Sequence, residues 1–343
     1  MNKTYHVTSE ILNSRLGGIA TVCDNIYYNL NKNEKIILVL QNNSTIKYDN
    51  VETISLNDLG KYKFDNSDTI YFHNFILANE WLIHNYNYTC NCSYVMHSNL
   101  LIDIKFEYCF GIEDIKKFIN VIENFNVITV SNSDKDLLIK FLKLYNIKIP
   151  NIRIIYNGYD FNENNLNINI NKNGIFGYIG RLSIRKGLIE LFNLINRSGY
   201  YLYMAGGGNG RFTPDIIKEL SPYVNGSNLI KPIGYCDGFR KDTFFKSIDA
   251  LIVPSIYEPF GYIILEALDN NVPVFLNEID TFKEILGENY PFFFDINDYN
   301  SFIYITNKFY NMDNDDIKNI ILETKNNCKN KFSVDNMLIG YRK

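Results

Sequence analysis

Residues 250–276 read ALIVPSIYEPFGYIILEALDNNVPVFL, and this stretch decides the fold. An apolar run at 251–255 is closed by turn residues, which predicts a buried strand, and a second apolar run at 272–276 predicts another. The residues between them are long enough for a loop and a helix. A strand, a crossover helix and a second strand form the unit from which parallel sheets are built.

Two carboxylates flank the break between the first strand and the helix. Pro259 and Gly261 interrupt the chain, so Glu258 is predicted in the loop and Glu266 two turns into the helix. The first helical N–H groups, at residues 261–263, have no acceptor within the helix, and such groups can hold an anion. Ligands bind at this kind of corner in open parallel sheets.

The spacing Glu258 to Glu266 resembles the E-x7-E signature of retaining glycosyltransferases with the GT-B fold, in particular family 4, also called group 1. The resemblance implies that Glu258 lies beside the donor sugar and that Glu266 binds the ribose hydroxyls of the nucleotide. It also implies a donor-binding segment made of Phe260, Gly261, Tyr262 and Ile263. The alternative is an ordinary strand-helix-strand unit whose glutamates are surface or capping groups.

A second basic motif agrees with this resemblance. Gly180-Arg181 and Lys186-Gly187 match the family pattern G-R-x4-K-G, whose Arg and Lys contact the donor diphosphate. A departing diphosphate needs cations and oriented N–H groups, so Arg181 and Lys186 are carried over as catalytic and donor-binding residues. The alternative is a pair of solvated basic residues near a turn. Arg185 is interpreted as a surface charge.

Length and alternation of elements predict two domains. The 343 residues suffice for two cores, and strands alternate with helix-length segments in both halves. The predicted class is therefore α/β with two Rossmann-like, doubly wound domains. The resemblance implies that they face across a cleft, as in GT-B, and that a C-terminal helix crosses back to the first domain. The predicted ranges are 1–161 for the acceptor-side domain, 162–173 for the linker, 174–332 for the nucleotide-sugar domain and 333–343 for the returning helix.

Composition limits the partners. The net charge of −4 argues against a protein that wraps nucleic acid through a broad basic surface. Six scattered cysteines favour a reducing cytoplasm, and no run of eighteen apolar residues occurs. We therefore expect a cytoplasmic enzyme, with membrane attachment at most peripheral.

Glycines in the first half give a weaker signal. Gly17 and Gly18 follow the first predicted strand and open a helix, and glycine there lets the backbone approach a ligand. The resemblance places such a loop near the donor diphosphate, so both are donor-binding candidates. The run Gly206–Gly210 looks like a phosphate loop, but it lacks the acidic residue that the family usually carries there.

Histidines at strand ends are the remaining polar candidates of the first domain. His97 ends a strand, and in the resembled family a histidine at that position hydrogen-bonds the transferred sugar. His73 also ends a strand and is its competitor, while His6 and His84 are interpreted as structural. A lone histidine is more often a satisfied polar residue than a ligand-binding one.

Neither a metal nor a cofactor is expected. Asp313-Asn-Asp315 has the D-x-D spacing of metal-dependent glycosyltransferases, but it lies between two predicted helices, where acidic residues cap a helix. Arg181 and Lys186 can supply the charge stabilisation otherwise given by a metal. The nucleotide-diphosphate sugar is then a co-substrate.

Acceptor contacts are the least defined. The aromatic segment Ser98–Gly111 and the pair Ser131 and Asn132 are the predicted acceptor side. Asn277–Glu284 replaces the Gly-Gly-x-x-Glu loop of many relatives and keeps only Glu284, so the donor sugar stays open.

Together these features predict a retaining, metal-independent transferase that moves a hexose, by default from UDP-glucose, to a hydroxyl of a glycan or glycoconjugate. The alternatives are a phosphorylase or sugar-nucleotide epimerase, an inactive nucleotide-sugar-binding partner subunit, and a DNA-base glucosyltransferase.

Overall fold

The structure, a computed structural model, describes residues 2–11, 18–40, 51–106, 111–162, 168–206 and 214–343. It divides into two compact units. The first contains the described residues up to Gly158 together with Val334–Lys343, and the second is Tyr159–Ser333. The described part of the predicted linker, residues 162 and 168–173, thus belongs to the second unit.

The first unit is a parallel sheet with helices. Its described strands are β1 (Thr4–Thr8), β2 (Glu34–Leu40), β3 (Val51–Ser55), β4 (Thr69–Phe72), β5 (Asn91–Met96), β6 (Asn126–Thr129) and β7 (Ile152–Ile154). The helices between them are α1 (Gly18–Tyr28), α2 (Leu56–Leu59), α3 (Phe75–His84), α4 (Leu100–Phe106), α5 (Ile112–Asn124) and α6 (Asn132–Leu144). The order is β3-β2-β1-β4-β5-β6-β7, so the direction of winding reverses between β1 and β4.

Aromatic packing holds the first sheet to its helices. Trp81 of α3 is 2% exposed and its ring lies against Phe72 of β4, while Phe125 stacks on Phe72 at 5.5 Å. Burial of such rings is the main favourable contribution to the stability of a core. Strands β4 and β5 are buried along most of their length, as is usual in a parallel sheet covered by helices.

The second unit repeats this architecture. Its described strands are β8 (Ile175–Ile179), β9 (Tyr201–Ala205), β10 (Ile230–Gly234), β11 (Ala250–Val253), β12 (Val274–Asn277) and β13 (Phe293–Phe294). A 3-10 turn at Ile184–Lys186 precedes α7 (Leu188–Ser198), followed by α8 (Pro214–Asn225), α9 (Gly238–Ser247), α10 (Tyr262–Asp269), α11 (Asp280–Leu286), α12 (Tyr299–Asn311) and α13 (Asn314–Lys331). All recorded pairings are parallel in the order β10-β9-β8-β11-β12-β13, with the reversal between β8 and β11.

One buried carboxylate fixes the start of the second sheet. Asp249 Oδ2 accepts the N–H groups of Asn173, Gly174 and Ile175 at 2.7, 2.7 and 3.1 Å, and the hydroxyl of Tyr310 at 2.8 Å. These donors satisfy Oδ2 of a side chain that is 1% exposed, as a buried polar atom requires. The segment entering β8 is thereby attached to the strand that leads into the glutamate loop.

The last helix, α14 (Val334–Arg342), belongs to the first unit. The hydroxyl of Tyr71 on β4 donates to the carbonyl of Tyr341 at 2.7 Å. Arg342 donates through Nε and Nη2 to the two carboxylate oxygens of Glu34, at 2.8 and 2.9 Å. This bidentate pair and the burial of Tyr341 attach the C-terminal helix to β2 and β4.

Candidate active site

The charged candidates of the second unit collect where its sheet reverses direction. Arg181 follows β8, Lys186 ends the 3-10 turn after it, and Glu258 lies in the loop after β11. Because β8 and β11 are neighbours in the sheet, their carboxyl ends meet at one edge. The crevice outside a reversal point is the place where such sheets bind ligands.

Lys186 and Glu258 form a mostly buried ion pair. The ammonium of Lys186 donates to Oε2 of Glu258, and the two side chains are 14% and 13% exposed. The residues are 72 positions apart in sequence, so their contact depends entirely on the sheet order. The structure thus brings together the two groups that the motifs placed on separate elements.

Arg185 corrects the sequence analysis, which was wrong to interpret it as a surface charge. It is 4% exposed, its carbonyl accepts the N–H of Ile256 at 2.9 Å, and its guanidinium lies 5.9 Å from the ring centre of Tyr257. The 3-10 turn rotates Arg185 inward toward the glutamate loop, whereas Arg181 is exposed. The loop of Glu258 therefore packs on a buried guanidinium that composition alone did not reveal.

The surrounding cations keep Glu258 ionised. Burial by itself raises the pKa of a carboxyl, but Lys186, Arg185 and Arg181 together outweigh it and hold the pKa of Glu258 below its usual value. Burial likewise lowers the pKa of Lys186, and Glu258 opposes that change. The site is a carboxylate set among three cationic side chains, with positive charge in excess.

The predicted donor segment forms the start of α10. Gly261 is the N-cap with φ of +92°, and a Cβ there would lie 3.3 Å from Cγ of Glu258, so the position requires glycine. Helix α10 begins at Tyr262, which puts Glu266 one turn into the helix instead of the expected two. Ile263 is half-buried. The first turn of this helix directs N–H groups toward the loop of Glu258.

Phe260 and Glu266 have partners within the protein. Phe260 is 2% exposed and lies edge-on to Phe332 at 5.3 Å, so its side chain is part of the core. The carboxylate of Glu266 pairs with the ammonium of Lys241 on α9, with both side chains about one-quarter exposed. Lys241 is a further cation beside the nucleotide candidate, and the sequence analysis did not single it out.

A close backbone contact sets the position of Lys186. Gly187, at φ of +65°, is the N-cap of α7, and a Cβ there would lie 2.1 Å from the carbonyl oxygen of Pro254, in the loop that follows β11. Only glycine permits both this conformation and this approach. The loops after β8 and β11 are therefore held against one another at the residue next to the lysine.

In the first unit, three histidines form a hydrogen-bonded row. Nδ1 of His6 lies 3.1 Å from Nε2 of His73, and Nδ1 of His73 lies 3.0 Å from Nε2 of His97. The sequence analysis treated His73 as a competitor of His97 and His6 as structural, whereas the structure joins all three. Gly18 is exposed at the start of α1, and Gly17 lies outside the described residues.

The remaining candidates have structural contacts or lie outside the described residues. Ser131 caps α6 by accepting the N–H of Asp134 at 3.1 Å, and Asn132 donates to the hydroxyl of Tyr156 at 2.9 Å. Glu284 lies in α11, and Asp313 is the N-cap residue of α13. Residues 107–110 of the aromatic segment and 207–210 of the glycine run are not described.

Residues 160–327 match the family described as Glycosyl transferases group 1. The match covers 168 of the 343 residues, so this region is similar to the glycosyltransferase group 1 family. The similarity supports the predicted family, and the matched region falls in the unit that holds Lys186 and Glu258.

Two curated proteins are similar to parts of this chain. An uncharacterized glycosyltransferase of Methanocaldococcus jannaschii is 27% identical over 66% of this chain, and O-antigen chain mannosyltransferase B of Escherichia coli is 27% identical over 32%. The matched regions span 62% and 30% of the length of these two relatives.

A solved structure with the same fold is Anabaena HepE, crystallised with UDP-glucose. It superposes with a TM-score of 0.74 at 17% identity, covering 99% of this chain and 98% of that one. This likeness confirms the predicted GT-B fold class.

The residues that the structure describes contain no group of three or more His, Cys, Asp or Glu side chains arranged to hold a metal ion. None of the helices they form has the length and the apolar character that a membrane span needs.

Proposed function

We propose that the protein is a retaining, metal-independent glycosyltransferase that moves a hexose from a nucleotide-diphosphate sugar, with UDP-glucose as the default donor, to a hydroxyl of a glycan or glycoconjugate. The observation that carries this proposal is the buried pair Lys186–Glu258, placed with Arg181 and Arg185 at the reversal point of the second sheet. The reaction takes place without a cofactor, in the reducing cytoplasm that the scattered cysteines favour.

The charges of this crevice suit a departing diphosphate. Breaking the bond between the sugar and the diphosphate leaves negative charge on the phosphate oxygens, and Arg181 and Lys186 offer cations to it. The first turn of α10 adds oriented N–H groups to the same anion. Fixed positive charge of this kind replaces the function of a metal ion.

Glu258 stabilises the positive charge that develops on the sugar. As the bond breaks, the sugar gains oxocarbenium character, and an ionised carboxylate beside it is stabilising. In the structure Lys186 neutralises Glu258, which limits the cost of burying either charge. When a diphosphate binds, the ammonium of Lys186 gains a second anionic partner, and Glu258 can then interact with the sugar.

The names of similar proteins support the choice of substrates. Anabaena HepE was crystallised with UDP-glucose, and the Escherichia coli relative is an O-antigen chain mannosyltransferase. These names support a nucleotide sugar as donor and a glycan as acceptor. Glu266 is the proposed ligand of the ribose hydroxyls, and its pairing with Lys241 holds its carboxylate near the helix start.

A screen followed by product analysis tests the proposal. Thermal shift with a panel of nucleotide sugars should give a rise in Tm for the true donor, because a ligand that binds only the folded state stabilises it. Glycan acceptors are then tested with that donor in the presence of EDTA, and proton NMR of the product reports the anomeric configuration.

The expected result is transfer in EDTA with the anomeric configuration of the donor kept. Inversion would contradict the retaining mechanism, and loss of turnover in EDTA would contradict metal independence. Tight binding without transfer to any acceptor would instead favour a nucleotide-sugar-binding subunit without activity.

A further inference from the structure

Two cysteines lie in contact at the amino edge of the first sheet. Cys90 directly precedes β5, and Cys92 is the second residue of that strand. Their Sγ atoms are 3.5 Å apart. Alternate residues of an extended chain point to the same side, so two cysteines at this spacing can bring their sulfurs together. The sequence analysis counted both among six scattered cysteines, whereas the structure makes them a pair.

Both cysteines line a cavity of about 300 Å³ that is partly open to solvent. Its walls are the amino ends of β5 and β6, the end of α5 and the residues before β7. The cavity therefore lies at the opposite edge of the sheet from His73 and His97, which follow strand carboxyl ends. One water molecule needs only about 10–15 Å³ of such space, so a solute as small as hydrogen peroxide fits beside the two sulfurs.

The two thiols differ in their surroundings. Cys90 is 7% exposed and Cys92 is 3% exposed. The hydrogen bond with Cys92 lowers the pKa of Cys90, and the same bond together with burial raises the pKa of Cys92. The thiolate is the form of cysteine that attacks an oxidant. Cys90 is therefore the attacking thiol of the pair, and Cys92 keeps its proton.

The backbone leaves Cys90 able to approach Cys92. Sulfurs in a disulfide are about 2.0 Å apart, so the contact must shorten by about 1.5 Å. The register of β4 with β5 begins at Asn91 and holds Cys92 opposite Ile70. Cys90 lies before this register, so the adjustment falls on the residue that the sheet does not hold.

We propose that Cys90 and Cys92 are a modification site of the first unit, a thiol pair that hydrogen peroxide oxidises to a disulfide. The thiolate of Cys90 attacks one oxygen of the peroxide, the O–O bond breaks, and the departing hydroxide takes up a proton to become water. The thiol of Cys92 then attacks the sulfur of the resulting sulfenic acid, which forms the S–S bond and releases a second water. Two thiols are oxidised and one peroxide is reduced to two water molecules.

Mass spectrometry on the full chain tests this site. Trypsin cleaves after Lys63 and Lys105 and releases residues 64–105, which contain Cys90, Cys92 and no other cysteine. After hydrogen peroxide and then N-ethylmaleimide in denaturant, this peptide should have lost two hydrogens and carry no maleimide. Dithiothreitol before the maleimide should restore two alkylated thiols. Cys236, a partly exposed cysteine whose pKa burial raises, is the internal reference and should react about tenfold more slowly.

Three results would overturn the proposal. The first is a peptide that keeps both thiols after Cys236 has been oxidised. The second is a sulfinic acid in place of the disulfide, which would show that the neighbouring thiol does not capture the sulfenic acid. The third is a disulfide that joins Cys90 or Cys92 to Cys109, a residue outside those described.

Single variants test the two roles. Cys92→Ser keeps the attacking thiol, so it should lose the disulfide completely and accumulate a sulfenic acid on Cys90 that dimedone traps. Cys90→Ser should lose both the disulfide and most of the trapping, and Cys236→Ser is the matched control that should react as the wild type does. Equal trapping in both variants of the pair would overturn the assignment of Cys90 as the attacking thiol.

The wild-type mass data decide the site even if a variant does not fold. Both cysteines belong to the buried cluster that contains Trp81, so the emission of this tryptophan checks the fold of each variant. Alanine replaces serine where the emission differs from that of the wild type. The reaction needs no sugar transfer, so its outcome is independent of the proposed function.

Discussion

The two units share one architecture but fill the reversal point of their sheets with opposite chemistry. In the second unit the crevice between β8 and β11 holds a carboxylate among three cations. In the first, the carboxyl end of β4, beside β1, carries His73, which joins His6 and His97 in a row of neutral imidazoles. The backbone thus supplies the location of a ligand site, and the side chains at the strand ends decide which ligand groups it receives.

This difference predicts different sensitivities. A charged crevice depends on the balance of charges, so removing one member leaves the others buried and uncompensated. A neutral row depends on staying neutral, so it responds to pH. The following predictions test this contrast, beginning with the largest effect.

Breaking the ion pair should have the largest effect. Lys186→Met and Glu258→Gln should each lower kcat/KM by about 10²–10³, because each removes a charge aimed at the transition state. Each should also lower the free energy of unfolding by up to about 3–5 kcal/mol. The measurements are steady-state kinetics and urea unfolding followed by circular dichroism.

Two controls separate catalysis from stability in this pair. The double variant Lys186→Met/Glu258→Gln should regain stability but not activity, because it buries no unmatched partner. Arg181→Ala, at an exposed position, should lose activity while its unfolding free energy stays within about 0.5 kcal/mol. Near-normal turnover in all three single variants would contradict the site assignment.

Acid should destabilise the first unit through the histidine row. The folded pKa values are about 4 for His6 and about 3 for His97, below the usual 6.5. Between these values the unfolded chain binds protons at these histidines and the folded chain does not. Stability is therefore lost as the pH falls below about 6.5, by about 1.4 kcal/mol per histidine between pH 7.5 and 5.5. The fluorescence of Trp81, the one tryptophan of the chain, reports urea unfolding of this unit.

Substitution of His6 sharpens that measurement. His6→Phe should remove one histidine's share of the pH dependence, and His84→Gln should leave the dependence as in the wild type. An unfolding free energy that does not change between pH 7.5 and 5.5 would show that the rings are not held neutral.

A methyl group at Gly187 should disturb the charged crevice through the backbone. Gly187→Ala meets both a positive φ and the carbonyl of Pro254, so the cost should reach about 2–4 kcal/mol, with a loss of transfer because Lys186 moves. Gly199→Ala, at the other end of α7, is the matched control. It has a φ of +81° with no atom within 4 Å of the added Cβ, so about 1 kcal/mol is expected. If thermal unfolding showed the same loss of stability in both variants, the close approach of residue 187 to Pro254 would make no contribution to stability.

The smallest effect is expected at the edge of the charged crevice. Lys241→Met removes the partner of Glu266, whose side chain is about one-quarter exposed, so stability should change by less than about 1 kcal/mol. Calorimetry should show a change of a few-fold in the Kd of UDP, since Glu266 is then held less firmly. A change as large as that of Lys186→Met would place Lys241 among the main diphosphate ligands.

The sequence predicted the fold class because its main signals are local. The apolar runs around Glu258 and the glycines beside them determine strands, a loop and a helix start within one short stretch. The contact between Lys186 and Glu258 was harder to predict from the sequence, since it follows from the pairing of β8 with β11. The resemblance placed both residues at the donor site, but the sequence analysis did not predict that they contact one another.

Two features were out of reach for physical reasons. The inward position of Arg185 depends on how one 3-10 turn is rotated. Two adjacent basic residues in a sequence do not show which side chain such a turn directs inward. The histidine row needs the order β1-β4-β5, which brings together residues 67 and 24 positions apart. A usable signal did exist, because His73 and His97 both directly follow buried strands.

The return of α14 to the first unit has a consequence for synthesis of the chain. Tyr341 and Arg342 complete the packing around Tyr71 and Glu34, yet they leave the ribosome after the whole second unit. The first unit therefore cannot complete its packing until the second unit has been synthesised. A fragment ending near residue 158 would lack helix α14, whose Tyr341 packs against His6 and Tyr71. To express the first unit separately, the last ten residues should be fused to this fragment through a short linker.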